Sequence, residues 1–226
     1  MAARKLLIVG AGEFAEIACD YFTRDSAYDV AGFTVDSAFL TRNEISGLPV
    51  VAWDDAERLF PPADHDAFVA ATYTQLNRVR TRFFHAARKK GYRMASYVSS
   101  KAFVWHNAVI GENCFVFEAN VIQYRARVGD NVVLWSGNHI GHRAEIGDHC
   151  FLSSHVVVSG YCKVGESCFL GVNSTLGDFV KVGRDTIVGA GAVVLKDAGE
   201  RQVLRGNPAM PAGTDSFRIF RVKGEP

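Results

Sequence analysis

IGDHCFLSSHVVVSGYCKVGESCFLG, residues 146–171, places Ile146, Leu152, Val158, Val164 and Leu170 six residues apart. Followed outward, the same step runs from Ile110 to Val194 through fifteen positions, all Ile, Leu or Val. Nine of the fifteen are followed directly by glycine. A strict period of six over that length fits neither a globular helix nor an alternating strand. It fits a hexapeptide repeat, in which the chain coils as a parallel β-helix and each repeat gives one short strand and one corner. The aliphatic residue fills the interior. The residue after it turns the corner, where glycine tolerates strained backbone. Cys114, Cys150, Cys162 and Cys168 stand four places after an anchor, beside Ala126, Ala144, Ser174, Thr186 and Ala192 at equivalent places. That is a second inward position for small side chains, so these cysteines read as core filler.

The first hundred residues follow another pattern. LLIVG (6–10) is a strand, and AGEFAEIACDYF after it carries Phe14, Ile17, Ala18, Tyr21 and Phe22 at helical spacing. DVAGFTV and DAFVAATY (66–73) are further strands, and the helix after the second closes at Gly91. Strands alternating with helices predict a small parallel α/β sheet. The expected division is an α/β domain over 1–97, a β-helix over 98–212 and a tail over 213–226.

The 226 residues carry a net charge of +1, which gives no reason to expect nucleic acid or an anionic membrane as partner. No apolar run is long enough to span a bilayer. The five cysteines form no CxxC pair, which points to a reducing cytoplasm. The basic helix with Arg78, Arg80, Arg82, Arg88, Lys89 and Lys90 reads as a solvated face.

The repeats resemble the hexapeptide acyltransferases, whose β-helix is left-handed with three hexapeptides per coil. VLRGNPAM (203–210) is similar to the GNPA signature that closes such domains. The order of parts, GAGEFA (10–15) opening a small Rossmann-like α/β domain and then the β-helix, resembles the NeuD/PglD-like sugar acyltransferases. That resemblance implies a homotrimer with active sites between subunits, acetyl-CoA as acyl donor in the groove between β-helices, and a nucleotide-linked amino sugar as substrate. It implies a histidine base four places before an IGD corner, which here is His142 in HRAEIGD.

Spacing supports His142 independently, because it stands two places after Ile140 and so points outward. A neutral imidazole with a pKa of about 6.5 suits deprotonation of an amine. Gly160 lies one 18-residue coil above His142, and by resemblance its N–H is the oxyanion donor. Some relatives place an acid after the base; here the neighbour is Arg143. Support for the ring then falls to Glu145, Glu118, Asn138 or a backbone carbonyl. His155 is the second choice as base, and His149 reads as a corner residue. A zinc site like that of the gamma-type carbonic anhydrases needs histidines five apart, and Gly137 and Gly147 occupy those places, so no metal is expected.

By resemblance Val172 and Ala190 contact the pantetheine arm, and Asn207 and Pro208 also belong to the cofactor site. GAGEFA is a dinucleotide-type fingerprint with Ala15 at its third place, and a diphosphate can rest on the helix N-terminus. Gly10, Gly12, Glu13, Phe14, Asp36, Tyr73 and His139 are the expected nucleotide-sugar contacts, with Thr74 the N-cap of the next helix. Two further readings stay open: O-acetylation of a sugar of the sialic-acid type, and a non-catalytic scaffold that binds a nucleotide sugar.

Overall fold

The computed structural model describes residues 4–206. Its first part is a sheet of strands β1 (Arg4–Val9), β2 (Tyr28–Val35), β3 (Glu44–Ile45), β4 (Leu48–Ala52) and β5 (His65–Val69), in the order β3-β4-β2-β1-β5. All pairs are parallel except β3–β4, an antiparallel hairpin that the period did not predict. Helices α1 (Glu13–Arg24) and α3 (Arg78–Lys89) follow β1 and β5, and the short α2 spans Ala56–Leu59. The chain leaves β1 toward β2 on one side while β5 lies on the other. This reversal leaves a crevice at the carboxyl ends of the strands, where ligands bind in open α/β sheets.

The second part is the parallel β-helix that the repeats predicted, left-handed as the resemblance implied. Its first strand is Tyr97–Val98. Successive coils stack in register with an offset of 18 residues, as Val121 on His139 and His139 on Val157. Of the fifteen anchors, Ile110 is half-buried and the rest are buried. Cys114, Cys150, Cys162 and Cys168 are buried free thiols whose Sγ atoms donate to the carbonyls of Gly129, Gly165, Gly177 and Gly183. Burial pushes the Cys114 thiol up to about 12, so it stays protonated.

The outward residue of each strand gives each face its character. One face carries Phe115, Val133, Phe151 and Phe169 and packs under the α/β domain. A second carries Phe103, Val121, His139, Val157, Thr175 and Val193. The third carries Arg127, Glu145, Lys163 and Lys181, all exposed. Each coil runs from the docking face through a first corner to the second face, through a second corner to the charged face, and through a third corner back.

Two devices fasten the α/β domain to the coil. Phe14 and Phe22 pack edge-on to Phe115, with ring centroids 5.4 and 5.9 Å apart. A polar ladder climbs the third corner from β5. Val69 N–H donates to Asn113 Oδ1 (2.7 Å), and Asn113 Nδ2 donates to Asn131 Oδ1 (2.8 Å). That direction leaves Asn131 Nδ2 to donate to His149 Nδ1 (3.0 Å). His149 is therefore buried by the α/β domain, although its corner position points out of the coil.

Candidate functional site

The crevice is a cleft of about 810 Å³, within the usual range for small-ligand sites. Gly10, Ala11, Gly12, Glu13 and Phe14 form one wall, with Asp36 beside them, and Ala71, Thr72, Thr74 and Gln75 form the other. Gly10 has φ +136°, and a Cβ there would lie 2.7 Å from Ala70 O, so only glycine lets the two walls meet at the floor. Gly12 is different: its backbone is extended, and a Cβ would meet nothing within 4 Å. It caps α1 with no side-chain hydrogen bond, and the N–H groups of Gly12, Glu13 and Phe14 find no acceptor among the described residues. Unpaired amides at a helix start favour an anionic ligand.

The cleft gathers Gly10, Gly12, Glu13, Phe14 and Asp36 as expected. Asp36 Oδ1 accepts from Ala38 N–H (3.2 Å), which fixes the carboxylate at the rim. Tyr73 is not a lining residue; its ring packs on Phe151 and Phe169, at 5.1 and 4.9 Å. His139 is also elsewhere, on the second face of the β-helix. Thr74 lines the cleft, and the N-cap of α3 is Asn77. Of the lining residues not foreseen, three bear on ligand binding. Trp135, from the first corner of the β-helix, closes the cleft from below and packs against Phe117 at 4.3 Å. Thr34 Oγ1 is buried and without a partner among the described residues. Arg82 brings a cation to the mouth, so the basic helix is not simply a solvated face. Its neighbour Arg80 is wholly buried.

Between the wall and α3, Gln75, Leu76 and Asn77 have φ of 53°, 48° and 67°. Three successive non-glycine residues there cost about 1–2 kcal/mol each. Asn77 Nδ2 anchors the turn by donating to Cys168 O (3.2 Å).

His142 stands on the second corner, exposed, in one column with Tyr124, Gly160 and Asp178. A Cβ on Gly160 would fall 2.5 Å from His142 Cε1, so glycine makes room for the imidazole itself. The ring meets Tyr161 edge-on at 5.1 Å, and Arg143 lies over Tyr124 and Tyr161. Gly160 N–H donates to Asp178 Oδ1 (2.9 Å), so it is not the free oxyanion donor that the resemblance implied.

The supports foreseen for the ring are also spent elsewhere. Asn138 is buried, donates to Trp135 O (2.6 Å) and accepts from Val156 N–H (2.8 Å); it holds the corner and does not touch His142. Glu145 pairs with Lys163 Nζ at 3.2 Å on the charged face. Glu118 accepts from Ser136 Oγ and Tyr21 OH. Burial pushes the Glu118 carboxyl up, but hydrogen bonds from Ser136, its own backbone and Tyr21 outweigh it and hold it below the usual range. No described side chain hydrogen-bonds the His142 ring. His155, the second choice as base, lies over Gly137, where a Cβ would be 2.5 Å from its Nδ1.

Val172 and Ala190 are stacked and exposed, but on the first corner, with Trp135 and not with His142. Asn207 and Pro208 lie outside the described residues. Among the described residues, no three His, Cys, Asp or Glu side chains come together as metal ligands. No described helix is long and apolar enough to cross a membrane.

The bacterial transferase hexapeptide family (six repeats) matches residues 125–160 and 161–196. No curated protein matches the chain in sequence. Among solved structures, PerB from Caulobacter crescentus in complex with CoA and GDP-perosamine is 28% identical, with a TM-score of 0.80 over 91% of this chain and 96% of that one. A histidine variant of the perosamine N-acetyltransferase from the same organism, with the same two ligands, is also 28% identical, with a TM-score of 0.80 over 93% and 97%. The acetyltransferase domain of PglB from Neisseria gonorrhoeae, 24% identical over 92% and 99%, shares the fold with a TM-score of 0.81. Residues 125–196 thus carry the repeats of the bacterial transferase hexapeptide family, and the chain is similar in fold and two-part layout to these sugar acetyltransferases.

Proposed function

We propose that the protein transfers the acetyl group of acetyl-CoA to the amine of a nucleotide-linked amino sugar in the cytoplasm, and that it works as a homotrimer. The observation that carries this is the pairing of two features on one chain. One is a cleft that presents free helix N–H groups and Arg82 to a diphosphate. The other is an exposed histidine on a β-helix corner. PerB, with the same two parts, holds GDP-perosamine and CoA.

Placement supports an assembly with sites shared between subunits, as the proposed trimer has. The cleft, Val172 and Ala190 belong to the first corner, whereas His142 and Gly160 belong to the second, across the full width of the second face. One chain therefore does not bring its own base to its own cleft. The second face carries outward Val121, Val157 and Val193 and ends in exposed Phe103 and Leu195, an apolar surface suited to a second copy. Packing it against a neighbour sets His142 of one subunit beside the cleft of the next.

In that site the sugar nitrogen reacts as the neutral amine, its ammonium proton having gone to solvent, and the His142 imidazole takes one proton from the attacking amine. The nitrogen bonds to the thioester carbonyl carbon, the C–S bond breaks, and the imidazolium returns its proton to the departing thiolate. Amide and free CoA thiol are the products. Thiol release from acetyl-CoA with GDP-, UDP- and dTDP-linked amino sugars tests the reaction. Release that requires one of these amines supports it, and release with a hydroxyl sugar alone transfers the reading to O-acetylation. Mixing chains that lack His142 with chains carrying Gly12→Asp tests the shared site: activity returns only where the two come from different subunits.

A further inference from the structure

We propose that Arg80 is a positioning residue of the cleft: its buried guanidinium fastens the Ala71–Thr72 wall to one particular coil of the β-helix. This rests on the cleft being the nucleotide-sugar site. The guanidinium has five N–H donors in a rigid fork, and all five have acceptors. Nη1 donates to Ala71 O (3.4 Å) and Thr72 O (3.1 Å), both on the cleft wall. Nε donates to Asn131 O (3.2 Å), and Nη2 to His149 O (3.0 Å) and Cys150 O (2.9 Å), on two stacked coils.

The charge has no anion beside it. No carboxylate forms an ion pair with Arg80 among the described residues, and burial lowers its pKa to about 10, which still leaves it protonated at neutral pH. A buried cation held only by carbonyls stabilises less than an apolar side chain of the same volume. Stability alone therefore does not account for arginine here. What an apolar residue does not do is tie the loop carbonyls to the third corner. Asn131 O and His149 O receive no backbone hydrogen bond, so the fork takes the acceptors that this corner leaves open.

The coil matters as much as the bond. His149 and Cys150 belong to the same coil as Trp135, the floor of the cleft, and His142. Arg80 thus sets the height of the cleft wall against the coil that supplies Trp135 to the same cleft. Coils are spaced about 4.8 Å apart, the separation of paired strands. A wall displaced by a fraction of that distance misplaces a bound diphosphate against the α1 amides, and the amine beyond it.

The test is calorimetric titration of the full-length protein and its R80M and R80K variants with GDP, UDP, dTDP and CoA. For whichever diphosphate the wild type binds, R80M is expected to weaken binding at least tenfold. R80K, which keeps the charge but loses the fork, should fall between. CoA affinity should stay within twofold in both. Wild-type affinity for the diphosphate in R80M overturns the proposal, and so does an equal loss for both ligands, which marks a general loosening. If R80M does not fold, R80K decides: threefold or more for the diphosphate with CoA unchanged supports the proposal, and unchanged affinity sinks it. A wild type that binds none of the three diphosphates overturns the reading of the cleft itself, and the proposal with it.

Discussion

Two faces of one coil share their backbone, register and interior. One carries Phe115, Val133, Phe151 and Phe169, and the other Arg127, Glu145, Lys163 and Lys181. The first is buried under a whole domain and the second meets water. One residue in six makes that difference, so the repeat builds the scaffold and the outward positions assign the roles. The corners obey the same rule: the first helps to close the cleft, the second presents His142, and the third is bolted to the α/β domain.

If roles are assigned this locally, substitutions must act locally. His142→Ala tests this most severely. It is expected to lower turnover by up to about 10⁴-fold, the upper range for loss of a general base, with melting temperature and assembly unchanged. His155→Ala should cost far less; a reversal of the two would move the base to the first corner. Gly12→Asp comes next. The position has room for a side chain, so the fold should survive. A carboxylate a few ångströms from a diphosphate repels it by about 4 kcal/mol at an effective dielectric near 20, a loss of hundreds-fold or more in nucleoside diphosphate affinity. CoA binding should not change; titration with both ligands reads the contrast.

Phe151→Ala addresses the docking face. A buried Phe truncated to Ala costs about 3 kcal/mol or somewhat more, seen as a lower denaturation midpoint. Proteolysis should open the α/β domain before the β-helix if the two faces differ as described. A smaller effect is expected from pH at the third corner. Burial, chiefly, lowers the pKa of His149, with His85 and Arg80 adding to it and Asp148 and Glu166 opposing. Its Nδ1 must also stay unprotonated to accept from Asn131. The folded chain thus binds this proton less readily than the unfolded one. The contribution is fully present above the ordinary imidazole pKa of about 6.5 and is lost as pH falls through the lower folded value. Melting at pH 8 and pH 5 should show a decline that His149→Asn flattens. Last, Lys163→Ala breaks an exposed pair with Glu145 and should shift stability by less than about 0.5 kcal/mol. A larger loss would mean that the charged face is covered in the assembled protein.

The sequence read the interior well because a six-residue period has a direct geometric meaning. Stacking at 18 residues sets Gly160 against His142, and the two do touch. The same rule, applied through, would have saved Asn138 from its expected role. It stands four places after Leu134, which is an inward position. The docking face was legible too, in the phenylalanines before the anchors Val116, Leu152 and Leu170, but a linear reading does not say what lies over that face. Arg80 and Arg82 illustrate the remaining gap. Both belong to a run of basic residues, and only the depth of α3 against the β-helix separates the buried clamp from the cleft cation. The hydrogen bond from Gly160 to Asp178 was equally hidden, since the motif names the donor and not the neighbour that occupies it.

The 18-residue register also limits how a chain of this kind can change in length. Removing six residues between two corners leaves every aliphatic anchor inward, so the interior scarcely notices. Each outward residue beyond the cut, however, rotates to the preceding face of the coil. Residues of the second face then slide beneath the aromatic domain contact, the row of lysines takes over the second face, and the column above His142 acquires residues from a different corner. Such an event spares the fold and scrambles the surface. Only the loss or gain of a full coil transposes the surface intact, so length variation that preserves function should come in steps of eighteen, or as loops thrown outward at a corner.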